Sequence, residues 1–140
     1  MFLLPDMWEE FISPYIKTLC DYTHELGMFF EIHSDGYMQP LVKHLVDIGV
    51  DAVEPLQSCN DVQYLKDTYG SQIVLSGGFD SAGVLERPGA AEEEIRAEIR
   101  RCIDAYDKGG NYVTMYPIID PKVEAIVSDE IDRYGKNYYM

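Results

Sequence analysis

Short β-favouring runs and amphipathic helical stretches alternate strictly along this chain, and that order restricts the folds open to it more than any other feature. From Asp6 to Leu26 the residues Trp8, Phe11, Ile12, Tyr15, Ile16, Leu19 and Leu26 recur at helical spacing, with Asp6 and Glu9 placed as a capping box and Gly27 as the stop. Pro14 inside this stretch predicts either a kink or a second helix starting at Ser13. MFFEIH, at 28–33, reads as a first strand, and Met38, Leu41, Val42, Leu45 and Val46 mark a helix closed by Gly49. DAVEPL, at 51–56, is a second strand, followed by a helix with Ser58 and Asp61 as its capping box and Gly70 as its end. QIVLSGG, at 72–78, is a third strand. The helix in AEEEIRAEIRRCIDAY then puts Ile95, Ile99, Cys102, Ile103 and Tyr106 on one face. NYVTMYP, at 111–117, is the fourth strand, and Asp120 with Pro121 opens a last helix carrying Val123, Ile126, Val127 and Tyr134.

Four strands alternating with five helices imply an α/β fold with parallel pairing and right-handed crossovers. Spacing alone leaves two candidates open, a doubly wound sheet and part of a (β/α)8 barrel. EIHSDG after the first strand is not GxGxxG, which lowers the nucleotide-binding reading of the doubly wound sheet. The chain reads as one domain over 1–140, and 46% apolar residues are enough to fill a core.

Charge narrows the partners. With 25 acidic and 11 basic residues, the formal net charge of −14 repels phosphate backbones and anionic lipid, so nucleic acid and membrane partners are not expected. No apolar run is long enough to span a bilayer, and Cys20, Cys59 and Cys102 have neither the number nor the spacing of a disulfide framework or a cysteine zinc site. The expected location is cytoplasmic.

In the first strand, alternation puts Phe30 and Ile32 on one face and Glu31 and His33 on the other. If the aliphatic face packs on helices, His33 sits inside a barrel at the carboxyl end of its strand with Asp35 just beyond, which is where such barrels keep their chemistry. The same parity points Glu54, Ser76, Tyr112, Thr114 and Tyr116 inward and leaves Gln57, Cys59 and Asp80 on loops at that rim. Imidazole with carboxylates suits a divalent metal such as zinc, and equally a polar substrate. Asp35 could instead cap the following helix, and Glu31 could pair with a base from outside this chain. His24 and His44 fall on helices and read as surface residues, and Cys59 and Cys102 as inert.

The order FFEIHSDG, IGVDAVEPLQ, YGSQIVLSGGFD and EEEIRAEIRRCIDAYDKGGNYV resembles the C-terminal half of uroporphyrinogen decarboxylase-like proteins across nearly the whole chain. That resemblance implies the TIM-type (β/α)8 barrel. The superfamily holds porphyrin decarboxylases and methyltransferases that use a corrinoid. The decarboxylases bind their tetrapyrrole through arginines and an aspartate near the N-terminus and through a late histidine; here the segment after the fourth strand reads YPIIDP. The methyltransferases typically hold zinc with a His-x-Cys pair after this strand, and here the pair is His33 and Asp35. The resemblance thus implies transfer of an O- or N-methyl group to a corrinoid on a partner protein. His33, Asp35 and Glu54 would be the metal ligands, His33 and Asp35 the catalytic pair, and Glu54, Gln57, Asp80 and Tyr116 would contact a small-molecule substrate. Uroporphyrinogen decarboxylation is the alternative, and a non-catalytic half-barrel that binds a partner subunit is the alternative of another class. Four strands of eight must be completed by a second copy or by an N-terminal half-barrel subunit, and a start at MFLLPDMW inside the pattern is expected of a truncated or split chain.

Overall fold

The computed structural model describes residues 4–114, 118 and 120–136. Its centre is a sheet of four parallel strands in the order β1-β2-β3-β4, with β1 at Glu31–His33, β2 at Ala52–Leu56, β3 at Val74–Gly77 and β4 at Tyr112–Val113. Each strand pairs with the next in the chain, so among the described residues β1 and β4 are the edges of the sheet. This is the parallel α/β order that the alternation implied, in the half-barrel arrangement that the resemblance implied.

The described residues include six α-helices: α1 (Pro5–Phe11), α2 (Ser13–Glu25), α3 (Val42–Asp47), α4 (Val62–Tyr69), α5 (Glu92–Tyr106) and α6 (Pro121–Glu130). The count exceeds five because the first stretch divides at Ile12, and Pro14 opens α2, where its missing N–H costs nothing. Two expected capping boxes are replaced. Leu4 precedes α1 with no side-chain cap, and Asp61, not Ser58, caps α4 by accepting the Tyr64 N–H at 2.9 Å. Ser58 falls too far back because α4 begins only at Val62. Asp120 caps α6 as expected, accepting the Lys122 N–H at 2.8 Å.

Register shows which strand residues face the helices. Ile32, Val53, Leu75 and Tyr112 form one cross-strand row; Val53 and Leu75 are fully buried, and Ile32 and Tyr112 pack against the same core. Ile95, Ile99, Cys102, Ile103 and Tyr106 of α5 close over this row, as their helical spacing required. The next row carries His33 opposite Glu54, and Ser76 opposite Val113, on the inner face. The parity expected for β4 is therefore reversed. Tyr112 turns toward the helices, where it meets Tyr106 edge-on at 5.6 Å, and Val113 takes the inner side. Burying the large Tyr112 ring outweighs the polar reading of its hydroxyl, which donates to the Gly77 carbonyl at 2.6 Å.

Between β2 and β3 the register shifts at 54–55, where Pro55 has no N–H to give the ladder. Asp51, at the foot of β2, accepts the Phe30 N–H at 2.7 Å and the His24 Nε2 at 2.6 Å, tying the base of β1 to α2. Trp8 packs beside His44 of α3 with ring centres 6.1 Å apart, and Cys20 donates to the Gly49 carbonyl at 3.1 Å. These contacts seat α1 and α2 against α3 and the strand feet, while Phe11, Tyr15, Leu19, Tyr22, Leu26 and Phe29 stay exposed.

Candidate functional site at the carboxyl ends of β1–β3

The carboxyl ends of β1, β2 and β3 open into a cleft of about 580 Å³ lined by His33, Asp35, Gln57, Cys59, Phe79 and Glu86 among others. No lysine or arginine is among its lining residues. His33 projects from the last position of β1, and its two ring nitrogens meet different carboxylates. Nδ1–H donates to Glu54 Oε1 at 2.9 Å, whereas Nε2 lies 3.5 Å from Asp35 Oδ2. The Glu54 hydrogen bond raises the His33 pKa above its ordinary value; desolvation opposes this and Asp35 adds to it. The tight bond at Nδ1 fixes the ring, and the long contact at Nε2 leaves that edge turned to the cleft.

Glu54 is held almost entirely out of water, with 14% of its side chain exposed. One oxygen serves His33, and Oε2 is buried with no hydrogen-bond partner. Asp35 is 70% exposed, and its side chain caps no helix. Gln57 lines the cleft but uses its amide oxygen to accept the Gly36 N–H at 2.6 Å, so it also shapes the loop after β1. Asp80 lies outside the lining of this cleft. It caps the turn at 81–85, accepting the Gly83 N–H at 3.0 Å, and its own N–H donates to Glu98 Oε1 at 2.9 Å. Tyr116 lies outside the described residues.

The expected zinc ligands His33, Asp35 and Glu54 are neighbours, yet they do not converge. The two carboxylates lie at opposite nitrogens of one imidazole, so an ion bound at Nε2 beside Asp35 is out of reach of Glu54, and a metal site with three protein ligands cannot form as arranged. Among the described residues no group of three or more His, Cys, Asp or Glu side chains is placed to hold a metal ion.

Two features behind the cleft carried no mark in the sequence. Asn60, 5% exposed, is a hub: its Oδ1 accepts the N–H groups of Met38 and Gln39 at 2.9 Å each, and its Nδ2 donates to the carbonyls of Gly36 and Gln57 at 3.0 Å each. From the other side α5 clamps the rim after β3. Arg101 donates to the Gly78 carbonyl at 3.2 Å and to Glu98 at 2.7 Å. Cys102, under the same rim, has its thiol pushed up to about 12 by burial, which fits the inert role expected of it.

The model of the uroporphyrinogen decarboxylase (URO-D) family matches residues 1–116. Among solved structures, a methyltransferase from Methanosarcina mazei superposes with a TM-score of 0.69 at 18% sequence identity, over 94% of this chain and 38% of that one. At that identity the likeness establishes the fold, and the chain spans well under half the length of that structure. No curated protein matches the sequence.

Proposed function

The chain belongs to the uroporphyrinogen decarboxylase family, and from that premise we propose that it is the C-terminal half of a barrel that transfers the methyl group of a small O- or N-methyl substrate to a corrinoid carried by a partner protein. The observation carrying this reading is His33, held at Nδ1 by Glu54 and open to the cleft at Nε2. With its pKa raised by the Glu54 hydrogen bond, the imidazolium persists to higher pH than a free histidine and can act as a proton donor. As the carbon–heteroatom bond breaks, its electron pair stays on the oxygen or nitrogen that loses the methyl group, and that atom takes the Nε2 proton. His33 thereby makes a poor leaving group a better one. The corrinoid, when bound, supplies the nucleophile that accepts the methyl group. Glu54 keeps the ring in place, and Asp35 stabilises the charged form until the proton moves.

The same cleft speaks against the tetrapyrrole substrate of the family's decarboxylases. A substrate carrying many carboxylates needs cations, and the lining offers acids. The arginines at 87–101 are engaged elsewhere: Arg87 with Glu94, Arg96 with Glu92, Asp129 and Glu130, Arg100 with Glu93 and Glu130, and Arg101 with Glu98.

The sheet edges at β1 and β4 and the exposed apolar stripe on α1 and α2 support closure by a complementary N-terminal half and not by a second copy. A closed barrel has eight helix positions around eight strands. Counting α1 and α2 as one, this chain brings five helical segments to four strands, so two copies would crowd ten into that ring. Two copies would also join two chains of net charge −14. The test is methyl transfer to free cob(I)alamin by the chain assembled with its N-terminal half, from methanol, methoxybenzene or dimethylamine. His33→Ala is expected to reduce transfer by two to four orders of magnitude, the span typical of a lost general acid. Unchanged transfer removes His33 from the mechanism.

A further inference from the structure

Gly77 ends β3 and Gly78 follows it, and the carbonyls of both are taken by side chains outside the cleft. The Gly77 carbonyl accepts the Tyr112 hydroxyl at 2.6 Å, and the Gly78 carbonyl accepts the Arg101 guanidinium at 3.2 Å and the Cys102 thiol at 3.5 Å. Tyr112 stands in the helix-facing row, and Arg101 and Cys102 on α5. These oxygens therefore turn away from the cleft that Gly77, Gly78 and Phe79 line. At φ values of +103° and +90° the two glycines have no side chain to settle how their peptides lie, so that orientation depends on the donors. Arg101 is itself held. Its Nε and Nη2 meet the two oxygens of Glu98 at 2.7 Å each, Nη1 donates to the Tyr106 hydroxyl at 3.0 Å, and the guanidinium lies 5.7 Å from the centre of the Tyr106 ring. Glu98 is 8% exposed and also accepts the Asp80 N–H at 2.9 Å, so one buried carboxylate fixes both the donor to Gly78 and the rim just beyond it. A bidentate pair of this kind sets geometry as well as energy.

We propose that Arg101 and Tyr112 are positioning residues for the substrate: they hold the two carbonyls on the helix side, keep the β3 wall of the cleft apolar, and so suit it to an uncharged apolar body attached to the methyl-bearing atom. A carbonyl turned into that wall would lose its water to such a body and gain no donor in exchange, which weakens binding. The proposal rests on the reading of this cleft as the substrate site. It does not depend on proton donation by His33.

The test is the Kd of methoxybenzene for the chain assembled with its N-terminal half, followed by the Gly78 and Phe79 amide signals in NMR. Arg101→Lys keeps a cation beside Glu98 but cannot span Glu98 and Gly78 together, and Tyr112→Phe removes only the hydroxyl. Arg96→Lys is the control, the same change on the same helix at a residue paired with Glu92, Asp129 and Glu130. Arg101→Lys and Tyr112→Phe are each expected to weaken binding about tenfold, the low end of what a misfit in an apolar pocket costs, and Arg96→Lys to leave it unchanged even where its Tm falls. In the transfer assay the same two variants should raise the KM for methoxybenzene with little change in kcat. Equal affinity in all four proteins, or an equal loss in all three variants, overturns the proposal, because a purely structural part in folding would treat Arg96 and Arg101 alike. A wild-type assembly that binds no methoxybenzene overturns it as well. Binding that weakens as expected in an assembly that transfers no methyl group upholds the proposal and removes the methyl-transfer reading instead.

Discussion

Asp51→Ala tests how the strand bearing His33 is held. β1 is an edge strand of three residues, and its base depends on one side chain from the neighbouring strand, the Asp51 carboxylate that accepts the Phe30 N–H at 2.7 Å and the His24 Nε2 at 2.6 Å. A hydrogen bond to a charged group contributes about 1.5–3 kcal/mol. The His24 pair, whose side chains are 40% and 29% exposed, adds only about 0.2–1 kcal/mol. Asp51→Ala should therefore cost about 2–3 kcal/mol, and at about 4 °C per kcal/mol the Tm should fall by about 10 °C. Asp51→Asn keeps an acceptor for Phe30 and should cost about 1 kcal/mol, and His24→Ala less than that. The sign with pH follows from the carboxyl group. Partial burial pushes its pKa up, but the Phe30 N–H and His24 outweigh that and lower it. A lowered carboxylate stabilises the fold above the ordinary carboxylate range and loses that contribution as the pH falls through its own pKa, so the gap between wild type and Asp51→Ala should narrow in acid. Circular dichroism melts at several pH values, with exchange of the Phe30 amide, measure this. A cost equal to that of His24→Ala, or a gap independent of pH, would refute the reasoning.

Two further outcomes follow from named contacts. Glu54→Gln removes the main cause of the raised His33 pKa, and the imidazole titration followed by NMR should move down toward its ordinary value; no movement would mean that Glu54 does not govern His33. Gly78→Ala places a methyl group 2.9 Å from Tyr106 Cε2 at a φ of +90°, and should cost about 1–3 kcal/mol in urea unfolding, whereas an unchanged midpoint would show that the rim after β3 yields freely.

The architecture was legible because it rests on periodicity and on a few terminating residues. Alternation fixed parallel pairing, the Ile95, Ile99, Cys102 and Ile103 stripe placed α5 on the sheet, and Asp120 with Pro121 marked the start of α6. Local rules failed where tertiary packing overrode them. β4 turned its parity over because burying Tyr112 beside Tyr106 gains more than exposing it, and the boxes at Asp6 and Ser58 gave way once the helices began elsewhere. At the site, His33 and Glu54 could be placed from strand parity, since both faces of β1 differ sharply in polarity. The geometry around the His33 ring could not, because it depends on rotamers across two strands. Asp80 turned to capping, a role that its position before a turn made equally open. Asn60 was missed for want of any pattern, four of its side-chain bonds reaching backbone groups 3 to 24 residues away.

The most direct test of the half-barrel account is the mass of the chain in solution, by light scattering across a size-exclusion peak, alone and mixed with its N-terminal half. The account expects the mass of one chain when alone and a one-to-one complex on mixing, with protection of β1 and of the stripe at Phe11, Tyr15 and Tyr22 from hydrogen exchange only in the complex. A stable dimer of this chain, with β1 and β4 already protected, would contradict it.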